Sequence, residues 1–220
     1  MNWEDICERY QRLYTGAVSD ILDEMGLRNQ ALPRDIRPLA SDMKVAGVAF
    51  TVQGRAAVTP EECARDYLPH ALAIIDELTP FSVVVTEAGR DTECAHWGEL
   101  SSNAARARGC LGVVIDGGTR DTDFICQIKF PVFARYATMV DAVGRWVPSS
   151  HQEPIRIGRV GIEAGDFIFG DRDGVLVIPA QFITEVLKQA EEVRSVENRV
   201  RRDLRRGRLV VDTFKQYGRM

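Results

Sequence analysis

Residues 98–123, GELSSNAARARGCLGVVIDGGTRDTD, read in quick succession as a helix, a buried strand and a turn. The helix opens on Gly98-Glu99-Leu100-Ser101. The run Leu111-Gly112-Val113-Val114-Ile115 shows no alternation of apolar and polar positions, as expected of a strand covered on both faces. Asp116-Gly117-Gly118 stops it, and the turn ends in Arg120-Asp121. A helix N-terminus offers unpaired N–H groups and the positive end of a dipole, which suit a carboxylate. A charged pair just past the end of a buried strand stands where α/β sheets usually hold ligands. The spacing predicts one site, with an anion at one edge and a metal plus a developing negative charge at the other. From spacing alone, however, Arg-Asp at a strand end is more often a surface ion pair or a turn.

Composition narrows the classes. The 220 residues are 45% hydrophobic and 27% charged, enough for one domain with a sizeable core. A net charge of −4 gives no global attraction to nucleic acid or an anionic membrane. No apolar run approaches the roughly 20 residues of a membrane span, and MNWEDICERY lacks the pattern of a signal peptide. Cys7, Cys63, Cys94, Cys110 and Cys126 are odd in number and without CxxC spacing. They read as reduced thiols of a cytoplasmic protein rather than a zinc site or a disulfide frame.

Before the central stretch, Trp3, Ile6, Tyr10 and Leu13 fall at helical spacing. A second helix carries Val18, Ile21, Leu22 and Met25 on one face, capped by Thr15 or Ser19 and ended by Gly26. Asp20 on it reads as an acid that complements the helix dipole. Leu32–Ser41 reads as loop and Val45–Val52 as a strand. A helix is expected from about Glu61 to Glu77, with Pro60 in its first turn. Ala64, Leu68, Leu72 and Ile75 form its buried stripe, and Pro69 kinks or splits it. Ser82–Thr86 is another buried strand.

After the central stretch, Thr122–Gln127 reads as a short helix, Pro131–Ala134 as a strand, and Pro148-Ser149-Ser150-His151 as loop. Val140–Val147 reads as irregular or extended. Ile155–Ile178 carries turn signals at Gly161, Gly165-Asp166, Gly170-Asp171 and Asp173-Gly174, a run of short strands and hairpins. Asp171-Arg172-Asp173-Gly174 lacks the terminal Glu of a calcium loop. A long helix from about Ala180 to Arg206 follows, and its length predicts packing on a neighbouring subunit. The arginines from Arg199 to Arg208 read as a solvated, cationic helix end.

Other motifs carry less. Cys94-Ala95-His96 invites a Cys–His nucleophile, but Cys94 reads better as a core thiol. No GxGxxG opens a helix and no GxxxxGK[ST] is present, which argues against nucleotide binding. His70 and His151 lack ligand partners at recognisable spacing.

With these residues in view, the chain resembles the RraA-like family, which includes the 4-hydroxy-4-methyl-2-oxoglutarate aldolases. Trp97-Gly98-Glu99-Leu100, Gly112-Val113-Val114-Ile115-Asp116-Gly117 and Arg120-Asp121 carry the match. Val18-Ser19-Asp20-Ile21-Leu22 and the segments Gly165-Asp166, Gly170-Asp171 and Asp173-Gly174-Val175 agree. The resemblance implies a single α/β domain over 1–220, a compact α/β/β/α sandwich of the swivelling β/β/α type with a long C-terminal helix. It implies homotrimers or hexamers with sites between subunits, a divalent cation (Mg2+ or Mn2+), and chemistry on pyruvate-type α-keto acids. Carried over, the backbone of Gly98, Glu99, Leu100 and Ser101 would hold the substrate carboxylate, and Arg120 would contact the keto oxygen. Asp121 would anchor the metal. Glu99 would orient a water, although the family places an Asp or a similar polar group there. A Glu from a neighbour's last helix, Glu197 or else Glu192 or Glu191, would approach the metal. Two readings follow: a metal-dependent aldolase or oxaloacetate decarboxylase, and a non-catalytic regulator that binds a ribonuclease. A methyltransferase reading lacks its glycine-rich nucleotide loop.

Overall fold

The computed structural model describes residues 1–219; the side chains of Pro60, Glu62, Cys63, Ala64 and Asp66 lie outside the described residues. Pro60 opens α3, as expected, whereas the stripe position of Ala64 falls outside the described side chains. In chain order the elements are α1 (Trp3–Gln11), α2 (Thr15–Glu24), β1 (Arg37–Pro38), β2 (Val45–Ala56), α3 (Pro60–Asp76), β3 (Ser82–Glu87), β4 (Ala95–Trp97) and α4 (Glu99–Ala107). Then come β5 (Gly112–Ile115), β6 (Gly118–Thr119), α5 (Thr122–Ile128), β7 (Val132–Ala134), β8 (Tyr136–Ala137), β9 (Trp146–His151), β10 (Ile155–Ile157) and β11 (Val160–Ile162). The chain closes with β12 (Phe167–Asp171), β13 (Gly174–Ile178), a 3-10 turn, α6 (Ile183–Arg205) and α7 (Val210–Tyr217).

The main sheet runs β1-β7-β5-β3-β2-β12-β13, with β9 also on β2. Strands β2, β3, β5 and β7 are parallel; β1, β12, β13 and β9 join antiparallel. The free edge of β13 takes up residues 30–32, through Leu32 N–Val175 O at 2.9 Å and Val177 N–Gln30 O at 2.9 Å. That segment leads to β1 at the opposite edge, so the sheet nearly closes on itself.

Each parallel strand is buried on both faces, which is why its sequence does not alternate. Val114 and Val85 point into the interior of the curled sheet with Phe133, Ile157 and Ile168. Val113, Ile115 and Val84 point outward against Ala105 of α4 and Ile125 of α5. On a second outer surface α1, α2 and α6 pack over Phe167, Phe169 and Ile178, with the Tyr10 hydroxyl donating to Ile183 O at 2.7 Å. Val186, Leu187, Ala190, Val193 and Val200 of α6 are buried within this same chain.

Several elements depart from the sequence reading. Neither Thr15 nor Ser19 caps α2. Tyr14 holds the N-cap position without a side-chain bond. Asp171, at the far end of the chain, accepts the Thr15 N–H (2.8 Å) and the Thr15 hydroxyl (2.7 Å). Asp171 also accepts Asp173 N–H inside the β12–β13 hairpin (2.9 Å), so one buried carboxylate ties hairpin to helix. Asp171→Ala should cost about 1–2 kcal/mol, because the donors it serves lose their acceptor. Denaturant unfolding checks this, and an unchanged midpoint would refute the capping role.

Among the described side chains of α3 Ile74 is buried, as is Leu78 just past the helix, whereas Leu68 and Leu72 are 56% and 58% exposed. The inward stripe is thus rotated from the expected one, and the helix runs through Pro69 unsplit. Residues 148–151, expected as loop, belong to β9 on β2, with a register shift at Gln53/Gly54. There the indole of Trp146 occupies the space a Cβ at Gly54 would need (1.9 Å). The turn signals of Pro148-Ser149-Ser150 conceal this pairing. β1 within 32–41 and α7 are additional elements.

Candidate active site

The parallel strands continue past their C-terminal ends into a second, smaller sheet. The chain leaves β3 and returns as β4; β5 passes through Asp116-Gly117 into β6; β7 passes through Arg135 into β8. β4, β6 and β8 are parallel neighbours in the order β4-β6-β8. Gly98 follows β4, and Arg120 and Asp121 follow β6, so adjacent strands deliver all three to one edge.

Local bonds fix that edge. Trp97 O accepts both the Arg120 N–H (3.0 Å) and the Thr119 hydroxyl (3.1 Å). Asp121 adopts a left-handed backbone, φ 58° and ψ 35°, a conformation Asp tolerates better than most residues. Its Oδ2 accepts the Glu99 N–H at 3.2 Å, at the N-terminus of α4. Gly98 is extended (φ −151°), so its lack of a side chain serves close approach rather than backbone freedom. A Cβ there would lie 2.7 Å from Asp121 Oδ2 and 3.4 Å from Arg120 Cγ.

Arg120 is half-buried and Asp121 is exposed. Arg120 Nε lies 3.6 Å from Asp121 Oδ2 and Nη1 lies 2.8 Å from Asp141 Oδ2. The bond to Asp141 holds the guanidinium firmly protonated. Burial pushes the Asp141 carboxyl up, but the Val143 N–H and Arg120 outweigh it and leave it below the usual carboxylate range. A recess of about 70 Å³ lies among Tyr67, Gly98, Ser101, Arg120, Asp121 and Asp141. A shallower space of about 470 Å³, lined by Arg120, Asp121 and Met139, adjoins it.

The expected residues thus separate into two places. Gly98, Ser101, Arg120 and Asp121 meet at the recess, and Leu100 lines it while remaining 78% exposed. The Glu99 backbone joins them, while its carboxylate accepts from Asn103 of its own helix. Glu197 stands elsewhere on this chain: it accepts from the Tyr14 hydroxyl and pairs with Arg201 at 2.6 Å. Glu191 pairs with Arg9 at 2.6 Å, and Asp20 is exposed. Nothing in the sequence marks Asp141. No motif surrounds it, and only the β4–Asp141 bridge brings it to the site.

Behind the recess, Cys94 and His96 do meet, together with Asp91; their ligand atoms all lie within 4.8 Å. His96 Nε2 is 3.3 Å from Asp91 Oδ2 and 3.8 Å from Cys94 Sγ. The Gly118 N–H donates to His96 Nδ1 at 3.0 Å. This network assigns the neutral ring's proton to Nε2, so the ring has no lone pair to offer an ion there. Burial pushes the Cys94 thiol up to about 12. Cys94 is a core thiol, as expected, rather than a nucleophile.

Gly98→Ala follows as a test of the close approach. The added methyl should displace the Asp121 carboxylate and lower any turnover at this site on the order of ten- to a hundredfold. The fold should persist, because Gly98 is extended. Wild-type activity in this variant would show that the approach is unimportant.

Comparison with known proteins identifies the family. A family model described as RraA-like (Aldolase/RraA) matches residues 15–177. The chain is 34% identical over 188 residues to a Halalkalibacterium halodurans protein provisionally named 4-hydroxy-4-methyl-2-oxoglutarate aldolase, covering 86% of this chain and 83% of that one. It is 31% identical over 200 residues to Protein DlpA of Legionella pneumophila, covering 91% of this chain but only 32% of DlpA. The chain thus spans about a third of that relative's length. A crystal structure of an uncharacterized protein from Pseudomonas syringae pv. tomato superposes with a TM-score of 0.83 at 28% identity, covering 96% of each chain. The chain therefore belongs to the RraA-like family.

Proposed function

We propose that the protein is a divalent-metal-dependent lyase of pyruvate-type α-keto acids. It would cleave 4-hydroxy-4-methyl-2-oxoglutarate-like substrates, decarboxylate oxaloacetate, or do both. The observation that supports this most is the meeting of Asp121, Arg120 and the N-terminus of α4 at one recess. A half-exposed carboxylate suits a hard cation that keeps most of its waters, so Asp121 fits Mg2+ or Mn2+. When bound, such an ion supplies Lewis-acid stabilisation of the charge that develops on the keto oxygen.

The chain's own residues would do the rest. Amides at residues 98–101 bind the substrate carboxylate at the positive end of α4. Arg120 places permanent charge and directional donors on the keto oxygen. In retro-aldol cleavage, a water oriented by Glu99 takes the proton of the C4 hydroxyl. The C3–C4 bond then breaks, its electron pair passes into the pyruvate enolate, and a second keto compound leaves. Return of that proton to C3 through the same water completes pyruvate. Loss of carbon dioxide from oxaloacetate gives the same enolate, so one site serves both reactions.

In this reading the assembly is a trimer or hexamer, and Glu197 of a neighbouring copy completes the metal surroundings. The exposed Leu100, Phe124, Met139 and Val143 beside the site support an intersubunit location. The regulator reading draws on the arginine-rich tail. Three of those arginines are engaged within the chain: Arg199 over Tyr217, Arg201 with Glu197, and Arg208 with Asp203. The test is pyruvate release from oxaloacetate with and without Mg2+. Turnover that a chelator removes supports the lyase. No turnover, together with stable capture of a ribonuclease, would support the regulator instead.

A further inference from the structure

The small sheet that carries Arg120 is held from behind by one imidazole. The His96 side chain is fully buried, and its Nδ1 accepts the Gly118 N–H at 3.0 Å. Its Nε2 faces Asp91 Oδ2 at 3.3 Å. That same oxygen accepts the N–H groups of Glu93 (3.1 Å) and Cys94 (3.0 Å), the Cys94 thiol (3.3 Å) and the Tyr136 hydroxyl (3.3 Å). Asp91 therefore ties the loop before β4 to β8, and His96 carries the tie across to β6.

The fit around the ring is tight. A Cβ at Gly117 would lie 2.5 Å from His96 Nδ1, and a Cβ at Gly118 would lie 2.4 Å from Tyr136 Cε2. On the far side the Trp146 ring meets His96 edge-on at 4.8 Å between centroids, with the Trp146 Nε1–H donating to Ala88 O at 3.1 Å. Two residues beyond Gly118 stands Arg120, whose own N–H returns to Trp97 O, next to His96.

We propose that His96, held in one tautomer by Asp91, is a positioning residue that sets the Gly118–Asp121 turn and so aims Arg120 and Asp121 into the recess. The catalytic part of this inference rests on the lyase reading. Outer hydrogen bonds of this kind typically carry ten- to a hundredfold effects on a site they orient. The acceptor at Nδ1 is the critical atom; the donor at Nε2 serves to fix the tautomer.

Two substitutions separate that atom from the bulk of the ring. In His96→Asn the amide oxygen takes the place of Nδ1 and can still accept from Gly118. In His96→Gln the amide nitrogen reaches the place of Nε2, and the Nδ1 acceptor is lost. Asn removes more volume, so a role confined to packing makes Asn the worse variant in every readout. A positioning role makes Gln the worse one.

The experiment measures both variants beside the wild type by amide hydrogen exchange at residues 118–121 and by kcat and KM for oxaloacetate with Mg2+. The expected result is exchange at Gly118 and Arg120 about tenfold faster in His96→Gln, with kcat lowered about tenfold and Tm at or above that of His96→Asn. His96→Asn should stay within about threefold of wild type in both. Equal behaviour of the two variants, or a worse Asn variant, overturns the proposal. Exchange needs no substrate, so the two readings fail separately. A wild type without turnover but with the expected exchange order sinks the lyase alone. Turnover that is equal in both variants sinks the positioning role alone.

Discussion

Arg120→Ala should lower kcat on the order of a hundredfold or more while leaving the fold intact. The expectation follows from where the guanidinium stands. It projects from the turn after β6, half-buried, between Asp121 at 3.6 Å and Asp141 at 2.8 Å. Both acids hold its charge in one place before any substrate arrives, so no reorganisation is needed as negative charge grows on a keto oxygen. Loss of one preorganised donor to such a charge costs about 2.7–4 kcal/mol in well-measured enzymes. Arg120→Lys should recover little of this, since a point charge on a flexible stem replaces a planar fork. The loss should fall on kcat, with thermal stability changed little, because the side chain is partly in solvent and its ion pairs are screened. Steady-state kinetics on oxaloacetate beside a melting curve checks both parts. A near-normal kcat would remove Arg120 from the mechanism.

Asp121→Ala should abolish metal-dependent turnover, but it changes two things at once. It removes the carboxylate, and it puts Ala into a left-handed backbone that Asp tolerates and Ala does not. Asp121→Asn separates them. Asn accepts the same φ and retains an oxygen for the Glu99 N–H, now without charge. If Asp121 holds the ion, Asn should be nearly as inactive as Ala while melting close to wild type. Its Mg2+ affinity, read by calorimetry, should fall at least tenfold. Activity in Asp121→Asn that still responds to Mg2+ as the wild type does would place the ion elsewhere.

Much of this site was legible in residues 98–123 because its parts are consecutive in sequence and neighbours in space. A two-sided strand, a glycine turn and a helix start each have a local signature, and parallel pairing of β4 with β6 then joins Gly98 to Arg120. The hidden parts depend on distant pairing. Asp141 comes from an irregular segment with no periodicity and reaches Arg120 only through the bridge beside Ala95. Asp171 caps α2 from 156 residues away, a contact no capping pattern near Thr15 can reveal. The stripe of α3 does not follow from its apolar positions, because Leu68 and Leu72 face outward whereas Ile74, and Leu78 just past the helix, are buried. Cys94-Ala95-His96 suggests a nucleophilic pair, and only the folded chain shows that both ring nitrogens are engaged, Nδ1 by the Gly118 N–H and Nε2 by Asp91.

The most direct measurement of the central claim is a crystal structure with Mg2+ and pyruvate bound. The account predicts the pyruvate carboxylate on the amides of residues 98–101, the keto oxygen within hydrogen-bond reach of Arg120, and the ion on Asp121. Pyruvate and Mg2+ bound away from this recess, or Arg120 turned from the keto oxygen toward Asp141 alone, would contradict it.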